Sequence, residues 1–236
     1  MTGEFLLDMF YPRRCPVCDE PLPFGGGLIC EGCREKLTFV KEPRCRICGR
    51  LLYDETKEYC KDCGDGHHVF KKAVSVFVYN DVMQRSVSRF KNGGRQEYAR
   101  FYAESMWKAV GEEIRSFNAP YLIPVPIHKE KLKKRGFNQA ELLARELSRI
   151  SGFRLVNDLV VKVRNTAPQK SKDREERLKN VKRAFKLSGN VVKLTEAVLV
   201  DDVYTTGSTA DEIARLLLCA GVKDVYVATL CSGTPL

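Results

Sequence analysis

The sequence predicts an α/β protein: a parallel-sheet domain over residues 67–236, preceded at 1–66 by a small metal-held module. Two observations carry that expectation. Up to residue 66 there are eight cysteines in four CxxC pairs and little apolar sequence. After it, β-branched runs alternate with apolar stripes of helical period. A chain of 236 residues is long enough for one ordinary domain with an appendage.

In the module, Cys15, Cys18, Cys30 and Cys33 recur thirty residues later as Cys45, Cys48, Cys60 and Cys63, an internal duplication. A CxxC turn aims two thiolates at one point, and two such turns complete a tetrahedral zinc site. Disulfides are disfavoured in a cytosolic chain, and redox CxxC chemistry would need one pair beside a βαβ pattern. Two structural zinc ions are therefore expected. The duplication favours sequential pairing of the cysteines, and spacing alone leaves an interleaved pairing open. Four cysteines leave no ligand position for water, so no zinc chemistry is expected. So short a module buries little apolar surface, and the metal would supply most of its folding energy. Cys219 and Cys231 fall outside the pattern and read as core residues.

The boundary falls near residue 66, where His67 and His68 read as linker residues with a surface role. AVSVFVY at 73–79 is then a strand. From 97 to about 116, Tyr98, Phe101, Tyr102, Ser105, Met106, Ala109 and Val110 share a helical stripe. YLIPVPI at 121–127 is a strand, and Asn138 opens a helix carried by Leu143, Leu147 and Ile150 and ended by Gly152. Short strands follow at Leu155 and Val156 and at 159–163. The charged stretch 164–183 reads as a mobile loop. EAVLVDD at 196–202 is a strand, 209–220 a helix with Gly221 as its C-terminal cap, and 224–231 a last strand. Such alternation implies ligands at the carboxyl ends of the strands.

At one such end lies Tyr204-Thr205-Thr206-Gly207-Ser208-Thr209, small hydroxyl residues around a glycine and ahead of a helix. Backbone amides and the positive end of a helix dipole converge there, which suits a phosphate. The loop lacks the GK[ST] of a Walker loop. Asp201 and Asp202 precede it, placed to accept from vicinal hydroxyls of a sugar. A helix cap plus a solvated acid is the plainer reading, and it fits one aspartate better than two.

These residues resemble the signature of type I phosphoribosyltransferases, which is several apolar residues, two acids and a Thr/Gly/Ser loop. The resemblance implies that Asp201 and Asp202 face the ribose of phosphoribosyl pyrophosphate and that the loop cradles its 5-phosphate, with magnesium as cofactor. More of the chain is similar to the ComF family of competence-associated, amidophosphoribosyltransferase-like proteins. The cysteine knuckles, FKNGG at 90–94, PVP at 124–126, RGFNQ at 135–139 and the Asp-Asp loop occur in order, as do Thr166, Gln169, Arg177, Asn180, Ala184 and Phe185. The resemblance implies a type I phosphoribosyltransferase fold behind a double zinc ribbon. It also implies a partner, single-stranded DNA taken up during natural transformation.

By the same resemblance, HKEKLKKRGFNQ at 128–139 lies near a pyrophosphate-binding loop, with Arg135 and Asn138 as candidates. A solvated charge run explains the lysines equally well but not RGFNQ. Lys91 is a further candidate anion contact. The expected catalytic residues are Asp201, Asp202 and Arg135, and 164–183 falls where the family closes a loop over its site. Phe137 or Tyr204 would offer a stacking face to DNA.

Lys and Arg outnumber Asp and Glu by 40 to 30, which favours phosphate-bearing partners. Two four-thiolate zinc sites would lower the formal +10 to roughly +6. No apolar run approaches the roughly 20 residues of a membrane span, and the first residues lack the order of a secretory signal. A cytoplasmic protein is expected.

Overall fold

The structure, a computed structural model, describes residues 12–64, 68–164, 184–188 and 194–233. The second knuckle of each cysteine repeat is itself a short helix, α1 (Glu31–Arg34) carrying Cys33 and α2 (Lys61–Gly64) carrying Cys63. The sheet elements are β1 (Lys72–Val78), β2 (Tyr121–Pro124), β3 (Arg154–Leu155), β6 (Glu196–Tyr204) and β7 (Asp224–Ser232). They form one parallel sheet in the order β1-β7-β6-β2-β3. β4 (Val160–Lys162) and β5 (Phe185–Leu187) make a separate antiparallel pair. The helices are α3 (Asp81–Asn92), α4 (Tyr98–Ser116), α5 (Lys129–Arg135), α6 (Gln139–Ser151) and α7 (Ser208–Cys219).

The sheet is apolar on both faces, as parallel sheets must be. Along β6, Val198 and Val200 enter the core shared with α3, α4 and α6, while Ala197 and Leu199 enter the core shared with α7. From β2 the chain crosses through α5 and α6 to β3 on one side. From β6 it crosses through α7 to β7 on the other. The order therefore reverses between β2 and β6, and a crevice opens outside their carboxyl ends, where open α/β sheets bind ligands.

The cysteine module wraps the exposed edge of this sheet. Cys15 and Cys33 pack into the core on the α4 face, whereas Cys45, Cys48, Cys60 and Cys63 pack into the core on the α7 face. Between them, the Val40 amide donates to Val76 and the Val78 amide to Thr38, so the connecting segment runs antiparallel beside β1. An edge strand is thereby covered rather than left as a template for aggregation. The second repeat sits flush on β1: the Ala73 amide donates to the Ile47 carbonyl at 2.7 Å, and a Cβ at Gly49 would lie 2.5 Å from the Ala73 oxygen.

Several expectations change. α3 lies in a stretch to which the sequence assigns no element, and α5 lies where the sequence reads as a charge run. Asn80 caps α3 by accepting from the Met83 amide, and His128 and left-handed Gly136 bound α5. β2 stops at Pro124, and β6 runs on to Tyr204. Ala109 and Cys219 are exposed, because the buried stripes of their helices pass through Met106 and Val110 and through Ile213 and Leu217. Cys231 is buried as expected. The stretch 165–183, with Thr166, Gln169, Arg177 and Asn180, and His67 lie outside the described residues. Among the described residues, no helix is long and apolar enough to cross a membrane.

Candidate functional site

At the carboxyl end of β6 the chain turns through Thr205, Thr206 and Gly207 into α7. Gly207 caps the helix in the left-handed conformation with φ 75°. A side chain there would place its Cβ 2.5 Å from the Tyr204 hydroxyl and 2.7 Å from the His68 ring, so only glycine fits. First-turn amides have no acceptor within their helix and sit at the positive end of its dipole. Thr206 and Ser208 join them, their hydroxyls 2.7 Å apart. A small pocket opens here, with Asp201, Thr205, Gly207, Ser208 and Thr209 in its wall and Val125 of the β2 exit opposite.

The loop rests on a polar pedestal that the sequence reading missed. Tyr204 turns its ring inward, and its hydroxyl lies 3.2 Å from Nε2 of His68. Nδ1 of His68 meets the Asp211 carboxylate at 2.9 Å, and the same carboxylate accepts from the Val69 amide at 2.7 Å. His68 is thus a buried spacer and not a surface linker residue, its side chain only 3% exposed. Asp211, an acid within the apolar stripe of α7, is the one sequence signal that pointed to it. The Arg50 guanidinium completes the pedestal. It donates to the Thr205 carbonyl, pairs with Asp62 at 3.1 Å and lies over the Tyr204 ring.

The two acids are not equivalent in their surroundings. Asp202 is buried against Lys91, whose ammonium lies 2.6 Å from its carboxylate. Burial works against that ammonium, but Asp202 outweighs it and holds the Lys91 pKa above its ordinary value. Lys91 is thus a counterion before it is an anion contact. Asp201 instead lines the pocket, and one of its oxygens accepts from the Asp202 amide at 2.8 Å. Burial and the neighbouring Asp202 charge push the Asp201 pKa up to about 7.

Other candidates are also bound structurally. Asn138 caps α6, accepting from the Ala140 amide and donating to the Val125 carbonyl at 3.1 Å, so its side chain ties the helix to the β2 exit. Arg135 donates to Gln139 and lines a cleft of about 560 Å³ with Lys91, Asn92, Gly94, Lys131 and Lys134. Burial lowers the Arg135 pKa, and Asp202 opposes that shift. Neither expected stacking face is available: Phe137 is buried against Phe90 and Tyr204 points beneath the loop.

The cysteines gather as 15, 18, 30 and 33 and as 45, 48, 60 and 63, which settles the pairing as sequential. In each group the ligand atoms lie within 4.8 Å of one another, and the Cys18–Cys30 and Cys48–Cys60 sulfurs are 3.7 Å apart. A tetrahedron with Zn–S of 2.3 Å has an edge of about 3.8 Å, so the donors fit zinc. Burial opposes a thiolate at Cys15, but backbone amides of Cys18, Cys30 and Val17 outweigh it and bring its pKa to about 7. Burial and the neighbouring sulfurs push Cys30 up to about 12. Sulfurs this close ionise together only around a cation.

A parallel sheet with a hydroxyl-rich helix N-terminus at its switch point, edged by two four-cysteine sites, defines a phosphoribosyltransferase-like protein with a double zinc ribbon. Family models agree, a double zinc ribbon domain matching residues 6–64 and a phosphoribosyl transferase domain residues 132–234. The chain is 31% identical to Competence protein F of Haemophilus influenzae over 92% of its own length and 96% of that protein's. It is 32% identical to Competence protein ComFC of Bacillus subtilis, covering 82% and 79%, and 31% identical to the DNA utilization protein YhgH of Escherichia coli K12, covering 93% and 97%. The chain belongs to the ComF family.

Proposed function

We propose that residues 201–209 bind the ribose 5-phosphate part of phosphoribosyl pyrophosphate or a related ligand, in a protein that handles single-stranded DNA during natural transformation. The observation that carries the first part is the Gly207 turn: Thr205, Ser208 and Thr209 line one pocket with Asp201 at the N-terminus of α7 and at the switch point, and Thr206 is hydrogen-bonded to Ser208 beside them. The phosphate takes the amides, and Asp201 accepts from a ribose hydroxyl. Asp202 with Lys91 fixes the strand end. Magnesium fits a site whose donors are a pocket-lining carboxylate and the ligand's own phosphates, and it would neutralise pyrophosphate charge there. The cleft bearing Lys131, Lys134 and Arg135 supports a polyanionic partner alongside. The reading implies a cytoplasmic protein, where eight thiols stay reduced for zinc.

Calorimetric titration of magnesium phosphoribosyl pyrophosphate tests the binding: wild type should bind, and Asp201→Asn with Asp202→Asn should bind weakly or not at all. Absence of binding to wild type refutes the reading. For the DNA part, affinity for single strands should fall steeply with salt and survive the double Asn change. Salt-independent or absent binding counts against it.

One observation favours a second reading, an active phosphoribosyltransferase of nucleotide metabolism that transfers ribose 5-phosphate to a nitrogen acceptor. Asp201 lines the pocket beside the loop, and burial with the neighbouring Asp202 charge raises its pKa toward neutrality, which suits a group that exchanges a proton there. Release of pyrophosphate in the presence of a nucleobase or amine would establish it.

A further inference from the structure

We infer that Arg50, in the second cysteine repeat, is a positioning residue for the phosphate loop, and that it links metal occupancy of that repeat to ligand affinity. The inference rests on the phosphoribosyl reading of the loop.

The guanidinium is 4% exposed and spans two structures 155 residues apart in sequence. On one side it pairs with Asp62, between Cys60 and Cys63, at 3.1 Å. On the other it donates to the Thr205 carbonyl and covers the Tyr204 ring, its carbon 5.6 Å from the centroid. In a trans peptide the C=O and the following N–H point in opposite directions. Drawing the Thr205 carbonyl down toward the ribbon therefore turns the Thr206 amide up toward the pocket. Among the described residues no other hydrogen-bond donor holds this carbonyl, and an outward carbonyl would set a partial negative charge against an arriving phosphate. The fork geometry matters, because separate nitrogens serve Asp62 and Thr205, which a lysine ammonium on a shorter reach does not reproduce.

The arrangement depends on the ribbon. Cys60 and Cys63 flank Asp62, so the position of that carboxylate, and with it the guanidinium, follows the closure of four sulfurs around one cation. Binding linkage is reciprocal. A ligand seated on the loop should stabilise metal in the second cluster and leave the first, on the opposite face of the sheet, unaffected.

The test uses the full chain with two zinc ions and ribose 5-phosphate as probe. In wild type, ribose 5-phosphate should slow chelator-driven release of one of the two zinc ions and not the other, followed with a colorimetric zinc indicator. Arg50→Gln should still hold two zinc ions, bind ribose 5-phosphate about tenfold more weakly, as expected for loss of one hydrogen bond to a charged group, and lose the selective protection. Arg50→Lys should not restore it. Equal release rates with and without ligand in a wild type that binds ribose 5-phosphate overturn the coupling, and this measurement stands even where the Arg50 variants fail to fold. Unchanged affinity in a zinc-loaded Arg50→Gln overturns the positioning role. A wild type that does not bind ribose 5-phosphate overturns the phosphoribosyl reading itself, and the inference with it.

Discussion

Asp201 should make ribose 5-phosphate binding depend on pH near neutrality. Its folded pKa of about 7 stands well above the ordinary carboxylate value, because the group is buried beside Asp202. If only the ionised carboxylate accepts from the sugar, the apparent dissociation constant is the intrinsic one divided by the ionised fraction. That factor is about 1.1 at pH 8 and about 11 at pH 6, so affinity should weaken about tenfold across the interval. The assay is calorimetric titration without magnesium, repeated with Asp201→Asn. The ligand phosphate also titrates near pH 6, and the variant, which retains that contribution and lacks the carboxylate, separates the two. Equal pH dependence in wild type and variant would refute a carboxylate contact at Asp201. The sign for stability runs the other way. A raised acid pKa favours the fold most below about pH 4, and that contribution is lost as pH rises through about 7. The melting temperature of unliganded Asp201→Asn should therefore vary less over this window than that of wild type.

Three further outcomes follow from particular contacts. Lys91→Met leaves the Asp202 carboxylate without its counterion and should lower stability by about 2 kcal/mol in urea denaturation, below the full cost of a buried pair because Lys91 is partly exposed; an unchanged midpoint would show the pair to be dispensable. Gly207→Ala forces a Cβ against Tyr204 and His68 at a left-handed position, and should abolish measurable ribose 5-phosphate binding while zinc content stays at two per chain. Removal of zinc with a strong chelator should strip hydrogen-exchange protection from 12–64 and also from β1, whose edge that segment covers, before β2 and β6 are affected.

What the sequence made legible is what local chemistry determines. Eight cysteines at a repeated spacing mark both metal sites, and VLVDD followed by Val-Tyr-Thr-Thr-Gly-Ser marks a strand, an acid pair and a helix N-terminus in one continuous run. What it concealed is set by contacts between distant residues. Nothing near Lys91 announces that its partner is Asp202, 111 positions on. Nothing in Cys48-Gly49-Arg50 says that the arginine ends beneath Thr205. His68 looks like a linker residue because its partners, Tyr204 and Asp211, come from the far end of the chain. α5 was hidden for a different reason: a helix of seven residues with no buried side chain has no apolar stripe to read. The two repeats look like a separate module, yet each closes a different face of the sheet, since the edge of β1 lies between them.

The most direct test of the phosphoribosyl site is a crystal structure of the protein with ribose 5-phosphate bound. The phosphate should lie within hydrogen-bond distance of the backbone amides of residues 206–209, with a ribose hydroxyl donating to Asp201 and Asp202 still paired with Lys91. A phosphate seated instead in the cleft of Lys131, Lys134 and Arg135, with the loop at Gly207 empty, would contradict the assignment.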